Sequence, residues 1–285
     1  MIALANLFRR APKGVLAVAA LVLTIFCTTD DARAQMGGMG ALMRPMVDSK
    51  EVDALVQLLK LDADTETAVR DLFVAFQSQH AVASEKLQEI FQKAQEEAQR
   101  NNDMSVIQDM QKKALEFYKS QLTARDRLFD DIKLMLTPEQ LEKWPDFERL
   151  HRRTHLLDSG QNLVAGSTVD LVQLVDDTRP KSSEANAPEV DDMLNRYAAD
   201  LDRILIESRD LQAEQLEQTQ KMLAEGGNFM ANLEQWSKMF NDARALQVKV
   251  RELNARYERQ IAGLLSDAQR AVFSTEYNRR ANPRV

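Results

Sequence analysis

LTPEQ, at residues 136–140, is the segment from which the architecture of this chain follows most directly, and LSDAQ, at residues 265–269, repeats its pattern. Each copy places a hydroxyl residue three positions before a Gln, which is the pattern of a capping box at the start of a helix. In the first copy a proline stands at the first helical position, where its missing N–H costs nothing. Two such boxes predict a chain built from two related helical units. The predicted helix-capping residues are Leu136, Thr137 and Gln140 in one copy and Leu265, Ser266 and Gln269 in the other.

Composition and periodicity both indicate helices. Only 9 of the 285 residues are Gly, 7 are Pro and 6% are aromatic, which is typical of an all-α protein rather than of a β-sandwich. Apolar residues recur at three- and four-residue spacing through four segments, at residues 69–98, 107–135, 190–223 and 229–264. A helix of about 35 residues is about 50 Å long and must bury its apolar stripe against a partner helix. We therefore expect an all-α fold of elongated antiparallel helical hairpins, with two units in tandem.

The two halves of the chain also repeat each other outside the boxes. LVQLV at residues 171–175 echoes LVQLL at residues 55–59, an offset of 116, whereas the boxes are 129 residues apart. The difference matches an insertion of about 13 residues in the second copy. The Pro- and Ser-containing stretch at residues 176–188 is the predicted inserted loop.

The first residues of the chain have the composition of an export signal. Arg9, Arg10 and Lys13 precede an apolar stretch at residues 14–27, and ARA at residues 32–34 matches a signal peptidase site. Because a spanning helix needs about 20 apolar residues, we expect cleavage after Ala34, with an uncleaved anchor as the alternative. The expected organisation is a signal peptide at 1–34, a disordered Met- and Gly-rich segment at 35–47, a first helical unit at 48–157, a linker at 158–167 and a second helical unit at 168–285.

Charge and cysteine content narrow the classes of function. Loss of the signal removes four basic and two acidic residues together with Cys27, which leaves 33 basic against 42 acidic residues, a net charge of −9. This balance argues against nucleic acid and anionic membranes as partners. The exported chain would have no thiol nucleophile and no disulfide, and no phosphate loop or serine elbow is present. We expect a non-enzymatic protein without a cofactor and without stable membrane insertion.

Two groups of residues have metal-ligating side chains. Thioethers suit Cu(I), and four methionines follow the predicted cleavage site, although an unstructured tail is the simpler interpretation. His151 and His155 lie four residues apart on a predicted helix, with Glu148 one turn earlier, so that all three share one face that would suit Zn²⁺. The neighbouring arginines of the sequence ERLHRRTH would repel a cation, and a solvated helix end is the alternative. The four methionines are Met36, Met39, Met43 and Met46.

The segment LTPEQLEKW at residues 136–144, continued by Phe147, Arg149 and Leu150, resembles the C-terminal motif of the Spy/CpxP family of periplasmic proteins, whose members carry LTxxQ motifs. The resemblance implies a periplasmic, ATP-independent chaperone or envelope-stress protein that binds unfolded or misfolded envelope proteins and forms a homodimer. This chain departs from the family at its earlier motif, where LDADT at residues 61–65 has neither the Thr nor the Gln. It also departs in being acidic, since the family's cradle is basic.

Under this resemblance, the aromatic residues of the long apolar stripes are the candidates for client binding. They would line a client-binding concavity in a chaperone, whereas at helical spacing they would equally form the core of a hairpin. A passive coiled-coil assembly element is a further alternative, since long helices alone give no client binding. The candidate client-binding residues are Phe73, Phe76, Phe117, Trp236 and Phe240.

Overall fold

The computed structural model describes residues 43–101, 105–158, 169–178, 186–224 and 233–281. Every regular element in these ranges is an α-helix, which confirms the predicted all-α class. The predicted signal peptide, and the linker apart from Asp158, lie outside the described residues. In chain order the helices are α1 (Ser49–Leu59), α2 (Ala63–Asn101), α3 (Ser105–Lys133), α4 (Pro138–Leu141), α5 (Trp144–Asp158), α6 (Leu171–Thr178), α7 (Ala187–Ala224), α8 (Leu233–Leu264) and α9 (Asp267–Ala281).

The chain divides into two compact units. The first comprises Met1–Phe147 and Leu216–Leu233, and the second comprises Glu148–Gln215 and Glu234–Val285. This division assigns most of α5 to the second unit, whereas the sequence pattern suggested a boundary after residue 157. It also gives the end of α7 to the first unit.

The first unit is organised around the long helices α2 and α3, which pack against each other. Their 39 and 29 residues correspond to about 58 Å and 44 Å of helix. The ring of His80 on α2 meets the ring of Phe117 on α3 edge-on, with 6.1 Å between centroids. Helix α1 packs on the start of α2, where Arg70 Nη1 lies 2.9 Å from Asp53 Oδ1.

An aromatic cluster joins the end of α3 to the start of α5. Phe129 contacts Trp144 and Phe147 edge-on, with centroid distances of 5.7 and 5.4 Å, and the last two rings are 5.0 Å apart. All three side chains are buried. Lys133 places its ammonium 5.1 Å from the centre of the Trp144 ring, a cation–π contact. The cluster therefore packs the chain segment before the first capping box against the segment after it.

The segment before α1 is more ordered than its composition suggested. We expected residues 35–47 to be disordered, but Val47 is buried and Met43 packs against Leu87 and Phe117. An unbranched thioether fills irregular gaps between apolar side chains, and here it covers the end of a small cluster on α2 and α3. Residues 43–47 thus include side chains packed against the first unit, and residues 35–42 lie outside the described residues.

The second unit has the larger hydrophobic core. Tyr197 of α7 contacts Asn254 of α8. Glu207, ten residues further along α7, contacts Lys249, which lies five residues earlier in α8. The two helices therefore run in opposite directions. Helices α6 and α9 pack together, and the side chain of Phe273 on α9 is fully buried. Other buried members of this core include Leu171, Leu174, Leu194, Leu201, Leu205, Val250, Leu253 and Ile261.

Candidate functional site

The first capping box forms at the turn between α3 and α4. The hydroxyl of Thr137 accepts a hydrogen bond from the backbone N–H of Gln140 at 3.3 Å, and the Gln140 side-chain oxygen accepts from the N–H of Thr137 at 2.9 Å. Pro138 takes the first turn of α4, and the Leu136 side chain is buried. The motif thus fixes the start of α4 with one buried apolar residue and two reciprocal hydrogen bonds.

Two leucines flanking this box are exposed. Leu134 is 84% exposed and Leu141 is 40% exposed. Leu134 follows the last residue of α3, on the side of the helix opposite the buried Phe129 and Ile132. We call Leu134 and Leu141 the apolar turn. Neither leucine was predicted as a binding residue, although Leu134 lies just outside the apolar stripe of residues 107–135.

The second box, between α8 and α9, has a related geometry. The N–H of Ser266 donates to the side-chain oxygen of Gln269 at 2.9 Å, and the Ser266 hydroxyl donates to the same oxygen at 2.7 Å. Leu265 is buried in the core of the second unit. The apolar residue that opens each motif is therefore a core residue, and the polar residues stabilise the helix start.

The aromatic residues selected as client-binding candidates have, where their side chains are described, the environment of the hairpin-core alternative. Phe73, Phe76 and Phe117 are buried, with exposed fractions of 5–8%. Phe73 stacks on Phe76 at 6.5 Å, and Phe117 contacts His80. Pairing of α2 with the rest of the first unit covers the stripe, so these three side chains form core and not an open surface. The side chains of Trp236 and Phe240 on α8 lie outside the described residues.

The two histidines of α5 are brought together by the helix. His151 is buried and His155 is half-buried, and their ring centroids are 4.5 Å apart. Of the four methionines proposed for copper, Met43 and Met46 are half-buried. Met36 and Met39 fall outside the described residues. Met43 packs against the apolar cluster of Leu87 and Phe117.

Arginines next to the histidine pair are engaged by acidic side chains. Arg152 forms a bidentate pair with Asp202, with Nε–Oδ1 and Nη2–Oδ2 distances of 2.8 and 3.0 Å. Arg153 Nε lies 2.8 Å from Asp170 Oδ2. Arg152 also approaches Glu148 at 3.6 Å. The pKa of Arg152 is raised, because the contacts with Asp202 and Glu148 outweigh the effect of its burial. The charges of Arg152 and Arg153 are thus balanced locally.

A shallow groove lies between α6 and α9 in the second unit. It is lined by apolar side chains such as Val272 and by the ion-paired residues Asp177, Glu276 and Arg280. Arg280 donates to Asp177 at 2.7 Å and to Glu276 at 2.7 Å. Hydrogen bonds from Arg279 and Arg280 lower the pKa of Glu276 to about 2. The groove's charged residues therefore already bind one another.

No protein family model, curated protein or solved structure matches the chain.

None of the helices in the described ranges combines the length and the hydrophobicity that crossing a bilayer requires.

Proposed function

We propose that the chain is an exported, ATP-independent chaperone of the periplasm that holds unfolded or misfolded envelope proteins at the apolar turn of its first unit. The observation that carries the proposal is the exposure of Leu134 and Leu141 on either side of the capping box. A leucine that is 84% exposed gains little from its own fold, but it gains free energy when a partner covers it. Unfolded chains offer apolar side chains that would do so.

The strength expected of this contact suits reversible holding. Full burial of one leucine contributes about 1.5–3 kcal/mol, and association costs several kcal/mol of lost freedom. Two leucines therefore bind weakly and release a client without an energy source. The proposal accordingly assigns no catalytic step, no nucleotide and no cofactor to the chain.

The residues around the apolar turn favour polypeptide over lipid. Glu139, Glu142 and Lys143 are exposed next to the two leucines. Acidic groups there would oppose an anionic membrane surface, whereas mixed charges are compatible with the varied side chains of an unfolded protein. The resemblance of residues 136–144 to the LTxxQ family supports the same function, and it is the source of the proposed periplasmic location and homodimer.

The first experiment is aggregation of a chemically denatured client followed by light scattering, with the untagged chain purified from the envelope after export. Suppression near equimolar ratio without ATP is the expected result. The intact mass of the same sample tests cleavage after Ala34. A folded, helical sample that leaves client aggregation unchanged would refute the proposal. If such a sample also self-associates, it would favour the coiled-coil assembly element.

Two variants test whether clients bind at the apolar turn. The double variant Leu134→Gln, Leu141→Gln should keep its helical circular dichroism and lose most of the suppression, because both side chains are exposed and Gln is a good helix former. The matched control is Val248→Gln in the second unit, where Val248 is 41% exposed. Equal suppression by both variants would show that clients bind elsewhere on the chain.

A further inference from the structure

Helix α5 presents two imidazoles in an arrangement that suits a chelated metal ion. His151 and His155 are separated by one helical turn, and a ring nitrogen of each lies within 4.8 Å of a ring nitrogen of the other. Two bonds of 2.0–2.1 Å from a tetrahedral Zn²⁺ place the ligating nitrogens about 3.3 Å apart. A separation of at most 4.8 Å is therefore within about 1.5 Å of the one that a single Zn²⁺ requires.

The surrounding charges permit a cation at this position. Arg152 and Arg153 precede His155 in sequence, and each is bound to a carboxylate of the second unit, Asp202 and Asp170 respectively. All four side chains are mostly covered, at 12–16% exposure, so the ion pairs hold them in place. The local charge of these four groups sums to zero. The charges of Arg152 and Arg153 are therefore compensated in the folded chain.

We propose that His151 and His155 form a binding site for a borderline divalent cation of the Zn²⁺ type, with water completing the coordination. Imidazole nitrogen is a preferred ligand of Zn²⁺, and a ligand pair fixed on one rigid helix loses little freedom on binding. This site goes beyond the proposed chaperone function and does not depend on it. It also differs from a Cu(I) site, which would use the soft thioethers near the start of the exported chain.

Binding should depend on pH in a defined direction. A histidine must be neutral to donate its nitrogen lone pair, so protons compete with the metal. Affinity should therefore fall as the solution is acidified.

The test is titration of the full exported chain, purified without a polyhistidine tag, with Zn²⁺ in a calorimeter and with Co²⁺ in the visible spectrum. One saturable ion per chain is expected at pH 7.5. His155→Gln should weaken binding at least about tenfold, and His151→Gln should do the same. The matched control is His80→Gln, which changes the one remaining histidine of the chain and should leave the affinity unchanged.

The titrations distinguish a site at His151 and His155 from the absence of one. Loss of binding in the α5 variants with retention in the control supports the site. The proposal is overturned if the wild-type chain takes up no ion saturably, or if His155→Gln binds as tightly as wild type. Because His151 is buried, its variant is interpreted only when circular dichroism matches wild type. His155 is half-buried and provides the decisive variant in either case.

Discussion

At the scale of single residues, the starts of several helices are stabilised by side chains that differ in type but act alike. Asp62 accepts hydrogen bonds from the N–H groups of Asp64 and Thr65 at 3.1 and 2.9 Å, and also from the Thr65 hydroxyl. These bonds lower the pKa of Asp62. LDADT at residues 61–65 departs from the LTxxQ pattern, yet Asp62 caps α2 as Thr137 caps α4. A motif defined by residue identities does not detect that Asp62 and Thr137 have the same capping role, which is evident from the hydrogen bonds.

Replacement of the cap residue tests its contribution to stability. Thr137→Ala removes the acceptor for the Gln140 N–H, and it should lower the free energy of unfolding by about 1 kcal/mol. Chemical denaturation followed by circular dichroism measures the change. Thr123→Ala is the control, since this exposed threonine bonds only to a carbonyl within α3 and alanine has the higher helix propensity. Equal destabilisation by the two variants would contradict a capping role.

At the scale of helix pairs, buried polar groups determine how elements meet. His80 lies between α2 and α3, with Ser84 and Phe117 as neighbours. Burial lowers its pKa, and a hydrogen bond to the backbone of Arg44 offsets part of the effect. In the second unit, the amide of Asn254 donates to the carbonyl of Val169 at 2.7 Å and accepts from the Tyr197 hydroxyl at 3.0 Å.

His80 makes the stability of the chain dependent on pH. Because its folded pKa lies below the unfolded value near 6.5, the unfolded chain binds the proton more tightly. The contribution to stability is therefore complete above about pH 6.5 and is lost as the pH falls towards the folded pKa. Between pH 7.5 and 5.5, where carboxylates titrate little, His80→Leu should lose less unfolding free energy than wild type. Identical pH profiles from denaturant titrations would disprove the assignment.

Asn254 connects α7, α8 and the segment before α6. Asn254→Ala leaves the buried Val169 carbonyl and the Tyr197 hydroxyl with fewer partners, which should cost about 2 kcal/mol of unfolding free energy. Urea unfolding monitored by circular dichroism measures this. Asn278→Ala on α9 is the matched control, since Asn278 is exposed. A loss below about 0.5 kcal/mol for Asn254→Ala would show that water replaces the amide.

At the scale of the whole molecule, periodicity predicted helices well but could not predict which side chains are covered. The two apolar stripes that contain Phe73 and Phe76 on α2 and Phe117 on α3 look the same in sequence whether a partner helix or a client covers them. Leu134 is exposed at the end of α3, and helix ends are harder to place in a sequence than helix interiors. Arg152 and Arg153 looked like a positive cluster because their acidic partners are distant in sequence, 50 and 17 residues further on.

The net charge of −9 expected after cleavage leads to a prediction about clients. A negative chain attracts basic unfolded proteins over long range, and salt screens the attraction. Association with a basic client should be faster than with an acidic client of equal length, and the difference should shrink between 50 and about 300 mM salt. Stopped-flow fluorescence with labelled clients gives the rates. Rates that are insensitive to salt for the basic client would contradict steering by charge.

The pairing of helices that are neighbours in sequence also has a consequence for how quickly this chain folds. The contacts between α2 and α3 and between α7 and α8 link residues only a few tens of positions apart, such as His80 with Phe117 and Tyr197 with Asn254. Such short-range contacts close small loops at a low entropic cost, so each helix pair should form before contacts between residues far apart in sequence. Early pairing buries the apolar stripes of the long helices and shortens the time for which they are open to aggregation.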